Sequence, residues 1–123
     1  MTSPNISVVI VNFNGGAFLQ NAVDSLARQT YRDFELILLD NASTDGSAQA
    51  VDLSALPSAS LVLHPENSGF AGGNNIAADK ARGRWLVLLN PDTVAEADWL
   101  EQLMAAAEAN PAVQTFASAQ IDL

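Results

Sequence analysis

The chain has no cysteine, a single histidine, and only five Lys or Arg against fourteen Asp or Glu in 123 residues. Without cysteine there is no disulfide, no thiolate metal ligand and no cysteine nucleophile; a reducing compartment is compatible with that composition. The few bases, on a chain of formal net charge −9, exclude the clustered Lys and Arg on which non-specific nucleic-acid binding rests. They disfavour an anionic membrane surface for the same reason. No apolar run approaches the roughly 20 residues that cross a bilayer, and Met1 leads into no basic n-region. The sequence therefore reads as a soluble protein without a secretory signal. The shortage of bases also sets an expectation: a bound nucleotide diphosphate would need a divalent cation to offset its charge.

What the chain does have is apolar residues, 49% of the total against 15% charged, enough for a buried core and too many for disorder. The length sets one domain at most, since domains run to about 100–150 residues. The apolar residues fall in short runs: Ile6 to Val11, Phe34 to Leu39, Ser60 to Leu63 and Trp85 to Leu89. Each is near-continuous rather than alternating, the pattern of strands buried on both faces of a parallel sheet. Between them, Phe18, Leu19, Ala22, Val23 and Leu26 recur at helical spacing, as do Ile76, Ala77 and Ala81. A further helix is expected from about Asp98 to Ala109, and a short one within Ser43 to Val51, with Ser43, Thr44 and Asp45 as N-cap candidates. Gly83 is expected to end the helix before it as a left-handed C-cap. Strands alternating with helices predict a βαβ array with right-handed crossovers. Val113 to Ile121 is the candidate for one more strand. A sheet ending there would leave an edge and an uncovered apolar face, so the chain reads as part of a larger domain, prone to self-association through that edge.

In open parallel α/β sheets, ligands bind beyond the carboxyl ends of the strands. Strand one ends in Asn12-Phe13-Asn14-Gly15-Gly16 and strand two in Asp40-Asn41-Ala42-Ser43-Thr44-Asp45-Gly46. Strand three leads into Glu66-Asn67-Ser68-Gly69-Phe70-Ala71-Gly72-Gly73-Asn74-Asn75, and strand four into Asn90-Pro91-Asp92-Thr93. Such residues are also ordinary turn formers, but here every strand exit carries them. Asp40, at the mouth of a buried strand, can accept hydrogen bonds from a base or a ribose, or cap a helix. Asp92 suits Mg²⁺ or Mn²⁺, hard cations that complete their shells with water and substrate phosphates. Asp45 reads as a cap. Gly69 to Asn75 can cradle phosphate at a helix start, although it is not the G-x-G-x-x-G fingerprint. His64 reads as strand-end packing or solvent-exposed, Lys80, Arg82 and Arg84 as a solvated helix end, and Asp24, Glu101 and Glu108 as polar helix faces.

Taken together, VVIVNFN, LLDNASTDGS, ENSGFAGGNN and RWLVLLNPDT resemble, in order and across almost the whole chain, family 2 glycosyltransferases of the GT-A fold. The GFAGGNN and NPDT variants look most like the branch containing rhamnosyltransferases and related cell-wall and O-antigen transferases. The resemblance implies a Rossmann-like three-layer α/β/α nucleotide-binding half, with a mostly parallel sheet, spanning residues 1–123. It implies a nucleotide-diphospho-sugar donor, a glycan or lipid-linked glycan acceptor, and a cytoplasmic site, at the inner face of the membrane in a full-length protein. Carried over by position, it assigns Asp40 to the donor base and puts Val11 and Asn12 at the border of the nucleoside pocket. Asn90-Pro91-Asp92 takes the D-x-D position, with Asp92 on the metal and Asn90 towards the ribose or a metal-bound water. Asn41 stands where many relatives have a second acid, and Asn74 where many have Arg; both are counted in the donor site. The family's mechanism uses the cation to offset charge on the departing nucleoside diphosphate and a carboxylate base to deprotonate the acceptor hydroxyl, with inversion. That base is expected beyond Leu123, so the catalytic residue is unassigned and the chain alone is expected to be inactive.

Three other readings compete with this resemblance. A nucleotidyltransferase would open with a basic Gly-rich loop after strand one, and NFNGGAFLQ has neither Lys nor Arg. A receiver domain needs an acidic pair after strand one, where this chain has Asn12 and Asn14, and a late lysine, whereas no Lys follows Lys80. The third is a non-catalytic nucleotide-binding or scaffold fragment.

Overall fold

The structure is a computed structural model that describes residues 3–119. Its elements run β1 (Ile6–Asn12), α1 (Ala17–Ala27), β2 (Phe34–Asn41), α2 (Ser47–Ala50), β3 (Ala59–His64), α3 (Gly69–Ala78), β4 (Trp85–Leu88) and α4 (Trp99–Ala109). The four strands form one parallel sheet in the order β3-β2-β1-β4. No described helix is long and apolar enough to cross a membrane.

Every residue of β1 and β2 is buried, because each strand is central and both of its faces are covered. Side chains alternate across a strand, and the apolar residues sort into two clusters accordingly. Ile6, Val8 and Ile10 with Phe34, Leu36 and Leu38 meet Leu19, Ala22, Val23 and Leu26 of α1 and Leu100 and Met104 of α4. The α1 residues recur at the three- and four-residue spacing that makes one apolar stripe. Val9, Val11, Ile37 and Leu39 face the other way, against Ala77 of α3. The result is the expected α/β/α arrangement.

The outer strands depart from the expectation of burial on both faces. In β3, Leu61 and Leu63 are 39% and 59% exposed; in β4, Leu86 and Leu88 are 46% and 49% exposed. Leu86 and Leu88 register with Ser7 and Val9, so they lie on the α3 side, beyond that helix's cover. An apolar run is the same in sequence whether its strand is central or at an edge; only the pairing order tells them apart.

Three local expectations are corrected. Gly83 has no positive φ; α3 ends at Ala78. Gly83 instead passes so close to β1 that a Cβ would stand 2.5 Å from the Ser7 nitrogen and 2.7 Å from the Ile6 carbonyl carbon. Arg82 is not simply solvated but binds the buried Glu35, its Nη2 2.8 Å from Oε2. Residues 113–119 form no strand; the rest of the expected Val113–Ile121 strand lies outside the described residues.

Candidate functional site

Parallel pairing puts all four strand exits on one edge, and β1 ends level with β2: Asn12 registers with Asp40. Asn12 is fully buried and Asp40 is 3% exposed. The Asn12 Nδ2 donates to Asp40 Oδ1 at 2.9 Å and to Ser47 Oγ at 2.9 Å, with Ser43 Oγ at 3.3 Å. Asp40 also accepts from Ser43, whose hydroxyl reaches Oδ1 at 2.7 Å and whose backbone N–H reaches Oδ2 at 2.9 Å. An ionised carboxylate offers about four lone-pair directions, so the chain takes three of them and leaves one, on Oδ2.

The loops after β1 and β2 are fastened to each other. Asn14 donates its N–H to Ser43 Oγ at 2.9 Å, and its Oδ1 accepts from the Thr44 N–H at 2.8 Å. Asp45 accepts from the Gly16 N–H through Oδ2 at 2.9 Å and from the Ser47 N–H and hydroxyl through Oδ1 at 3.0 and 2.6 Å. The Ser47 hydroxyl, the Ser47 N–H and the Gly16 N–H hold the Asp45 carboxyl below its ordinary range. The N-cap of α2 is Gly46, with no side-chain cap, rather than Ser43, Thr44 or Asp45 as expected; Asp45, one residue earlier, accepts from the first helical N–H and joins that turn to the β1–α1 loop. Gly46 is in the left-handed conformation with φ 81°, a backbone that glycine adopts without steric cost.

Val11 and Asn41 point to the other side of the sheet and share a neighbour. A Cβ on Gly73 of α3 would lie 2.8 Å from Val11 Cγ1 and 3.1 Å from Asn41 Nδ2, so glycine at 73 lets the helix sit directly on these two residues. Asn41 is 2% exposed. Its Oδ1 accepts from the Ser68 N–H and hydroxyl at 3.2 and 2.9 Å, and its Nδ2 donates to the Gly69 carbonyl at 3.0 Å. It fastens the start of α3 to the end of β2. Asn74 is one residue further along, its Nδ2 donating to the Phe70 carbonyl at 3.0 Å.

Asn90 and Asp92 follow β4, beside β1. The Asn90 carbonyl accepts from the Thr93 N–H and hydroxyl at 3.3 and 2.6 Å, closing the turn that presents Asp92. Asp92 is exposed, and among the described residues its carboxylate has no hydrogen-bond partner. No group of three or more His, Asp or Glu gathers to hold a metal among the described residues. That donor set fits a cation held by one carboxylate, with water and ligand phosphates filling the rest of the shell; it does not fit a cation caged by protein alone. His64 ends β3 in register with Asn41, half-buried, with Nδ1 2.6 Å from the Glu66 carbonyl oxygen.

The family model described as "Glycosyl transferase family 2" matches residues 7–122. The chain belongs to glycosyltransferase family 2. Among its relatives in that family, it is 37% identical over 109 residues to a PGL/p-HBAD biosynthesis glycosyltransferase of Mycobacterium tuberculosis, covering 85% of this chain and 42% of that one. It is 33% identical over 100 residues to the glycosyltransferase GlyG of Streptococcus pneumoniae, covering 80% of this chain and 33% of that one. The chain therefore spans a third to two fifths of the length of these relatives. In fold it is similar to Staphylococcus aureus TarS 1–349 in complex with UDP-GlcNAc, with a TM-score of 0.80 at 23% identity over 86% of this chain and 32% of that one. It is also similar to the mannosyltransferase PcManGT of Pyrobaculum calidifontis in complex with GDP-Man and Mn²⁺, with a TM-score of 0.69 at 29% identity over 76% of this chain and 29% of that one.

Within this family 2 chain, the candidate residues therefore form three groups on one edge: Asn12 with Asp40, Val11 with Asn41 and α3, and Asn90 with Asp92. Sequence reasoning took Ser43 only for a helix cap and passed over Ser47. The available signal was the spacing of Ser43 three residues after Asp40 and of Ser47 two residues after Asp45, since short hydroxyl side chains there can fold back on the preceding carboxylate.

Proposed function

We propose that the chain is the donor-binding part of a glycosyltransferase: it holds a nucleotide-diphospho-sugar together with Mg²⁺ or Mn²⁺, for inverting transfer to an acceptor hydroxyl. The observation that carries this reading is the division of labour among the carboxylates at the strand exits. Asp40 and Asp45 are engaged by the chain's own donors, while Asp92 stands exposed and unengaged. In this reading Val11, Asn12, Asp40 and Asn41 border the nucleoside, with Asp40 accepting from the base through its remaining lone pair. Asn74 and Asn90 flank the ribose and diphosphate, and Asp92 ligates the cation. The bound cation would offset negative charge on the departing nucleoside diphosphate. The complexes formed by TarS with UDP-GlcNAc and by PcManGT with GDP-Man and Mn²⁺ support the ligand class.

No residue of this chain is assigned as the base that deprotonates the acceptor. That base and most of the acceptor site are proposed to belong to a longer protein, so that the 123-residue chain binds donor without turning it over. The acceptor is proposed to be a glycan or lipid-linked glycan of cell-wall or polysaccharide synthesis, at the cytoplasmic face of a membrane. The rhamnosyltransferase-like branch remains part of the reading on the strength of GFAGGNN and NPDT. Leu86 and Leu88 on the open edge strand β4 support self-association of the isolated chain; a monomer by light scattering at high concentration would refute that part.

The test of the donor site is calorimetric titration with UDP, dTDP and GDP, with and without Mn²⁺, on wild type and Asp92→Asn. Binding that requires Mn²⁺ and is lost in Asp92→Asn is expected. A folded wild type that binds none of the three nucleotides would refute the reading.

A further inference from the structure

We infer that Ser43 is a positioning residue for the donor site, acting through Asp40; the inference rests on the reading of Asp40 as the base-side acceptor. Among the described residues, Ser43 is the one that touches Asp40 through two groups, its hydroxyl on Oδ1 and its N–H on Oδ2. Two donors on different oxygens of a planar carboxylate fix its rotation about the Cβ–Cγ bond, and with it the direction of the remaining Oδ2 lone pair.

The same hydroxyl, at 3.3 Å from Asn12 Nδ2, joins the Ser47 hydroxyl, at 2.9 Å, in orienting Asn12. Because the Ser43 Oγ–H is given to Asp40 and the Ser47 Oγ–H to Asp45, both oxygens can act towards Asn12 only as acceptors. The Asn12 amide nitrogen must therefore face them, and it does. Its Oδ1 is thereby turned away and is buried without a hydrogen-bond partner. It lies where a Cβ on residue 15 would collide with it, so glycine at 15 is part of the same arrangement. A buried acceptor without a partner is costly, and here the cost accompanies the orientation that lets Nδ2 serve Asp40. Ser43 Oγ also accepts the Asn14 N–H, so one hydroxyl joins the β1–α1 loop, the end of β1 and the acceptor carboxylate.

The test compares Ser43→Ala, Ser43→Thr and, as a stability control, Tyr31→Phe in the 123-residue chain. Tyr31 lies before β2 and packs against the core, where its hydroxyl accepts from Asn5 Nδ2 at 2.8 Å; its removal costs stability at the end of the sheet opposite the strand exits. UDP, dTDP and GDP with Mn²⁺ are the binding probes, and amide exchange of Asn14 is read in parallel. Ser43→Ala is expected to weaken nucleotide binding about tenfold, the scale of one hydrogen bond to a charged group. It is also expected to speed Asn14 exchange about tenfold, by loss of its acceptor. Ser43→Thr, which keeps the hydroxyl, restores both, and Tyr31→Phe changes neither. Wild-type affinity in a folded Ser43→Ala chain overturns the inference, as does an equal loss in Tyr31→Phe. Should wild type bind no nucleotide, the donor reading fails by itself, and Asn14 exchange that is unchanged in Ser43→Ala overturns the positioning geometry separately.

Discussion

Glu35 and Arg82 are joined across the end of the sheet opposite the candidate site: Arg82 Nε and Nη2 both reach Glu35 Oε2, at 2.9 and 2.8 Å, while the Arg82 backbone N–H reaches Oε1 at 2.9 Å. Ser7 donates its hydroxyl to the same Oε1 at 2.8 Å and accepts the Gly83 N–H at 2.8 Å. One buried carboxylate thus fastens the segment before β4 to β1 and β2, and so sets where β4 begins. Burial alone would raise the Glu35 pKa, but the Arg82 N–H, the Ser7 hydroxyl and the Arg82 guanidinium together hold it below its ordinary value.

Glu35→Gln keeps the shape but removes the charge that three donor groups serve. A loss of about 2 kcal/mol in unfolding free energy is expected, the scale of hydrogen bonds to a charged group. Urea denaturation at neutral pH measures it. Arg82 is half exposed, so Arg82→Ala, which leaves the backbone donor in place, should cost less, about 1 kcal/mol or under.

The acid limb of stability should follow Glu35 and Asp45. Both have folded pKa values below the ordinary 4.5 and 3.8, so the unfolded chain binds more protons in that range and stability falls as pH falls. Their contributions are complete above those ordinary values and are lost as pH drops through the folded ones. The double variant Glu35→Gln/Asp45→Asn is expected to have a shallower decline below about pH 4.5 in the same denaturation series. An unchanged slope would refute this.

Gly83→Ala tests the close approach of the β4 lead-in to β1. The added Cβ would meet the Ser7 nitrogen at 2.5 Å and the Ile6 carbonyl carbon at 2.7 Å, backbone atoms in a central strand that cannot rotate aside. A destabilisation of about 1–3 kcal/mol is expected from overpacking. Gly16→Ala is the contrasting variant, because nothing stands within 4 Å of its Cβ and the strain comes only from its backbone, φ +56° and ψ −141°, a region left almost wholly to glycine; its cost should be about 1–3 kcal/mol.

Asn41→Asp replaces the amide that donates to the Gly69 carbonyl with a carboxylate oxygen facing that carbonyl. A loss of about 1–3 kcal/mol is expected at neutral pH. The penalty should shrink in acid, where the protonated carboxyl can donate again; a pH-independent difference between variant and wild type would show that the Gly69 contact is not its cause.

The parallel sheet, the α1 and α4 stripes and the edge that carries the polar residues were legible in the sequence. The ISVVIV and FELILL runs and the helical spacing of Leu19, Ala22, Val23 and Leu26 are local patterns, and local periodicity reports which faces are buried. Parallel strands must also all exit on one side, so DNASTDG, ENSGFAGGNN and NPDT were bound to lie along one edge once the strands were known. Tertiary structure decided what each residue does there. Which apolar strands are central and which are edges depends on the pairing order β3-β2-β1-β4, a non-local choice. That Gly83 yields to Ser7 rather than capping a helix, that Arg82 turns to Glu35, and that Ser43 serves Asp40 rather than a helix end all depend on residues 47 and 76 positions apart or on loop geometry. Sequence spacing carries the chemistry of a side chain, but only the folded backbone brings its partner within three ångströms.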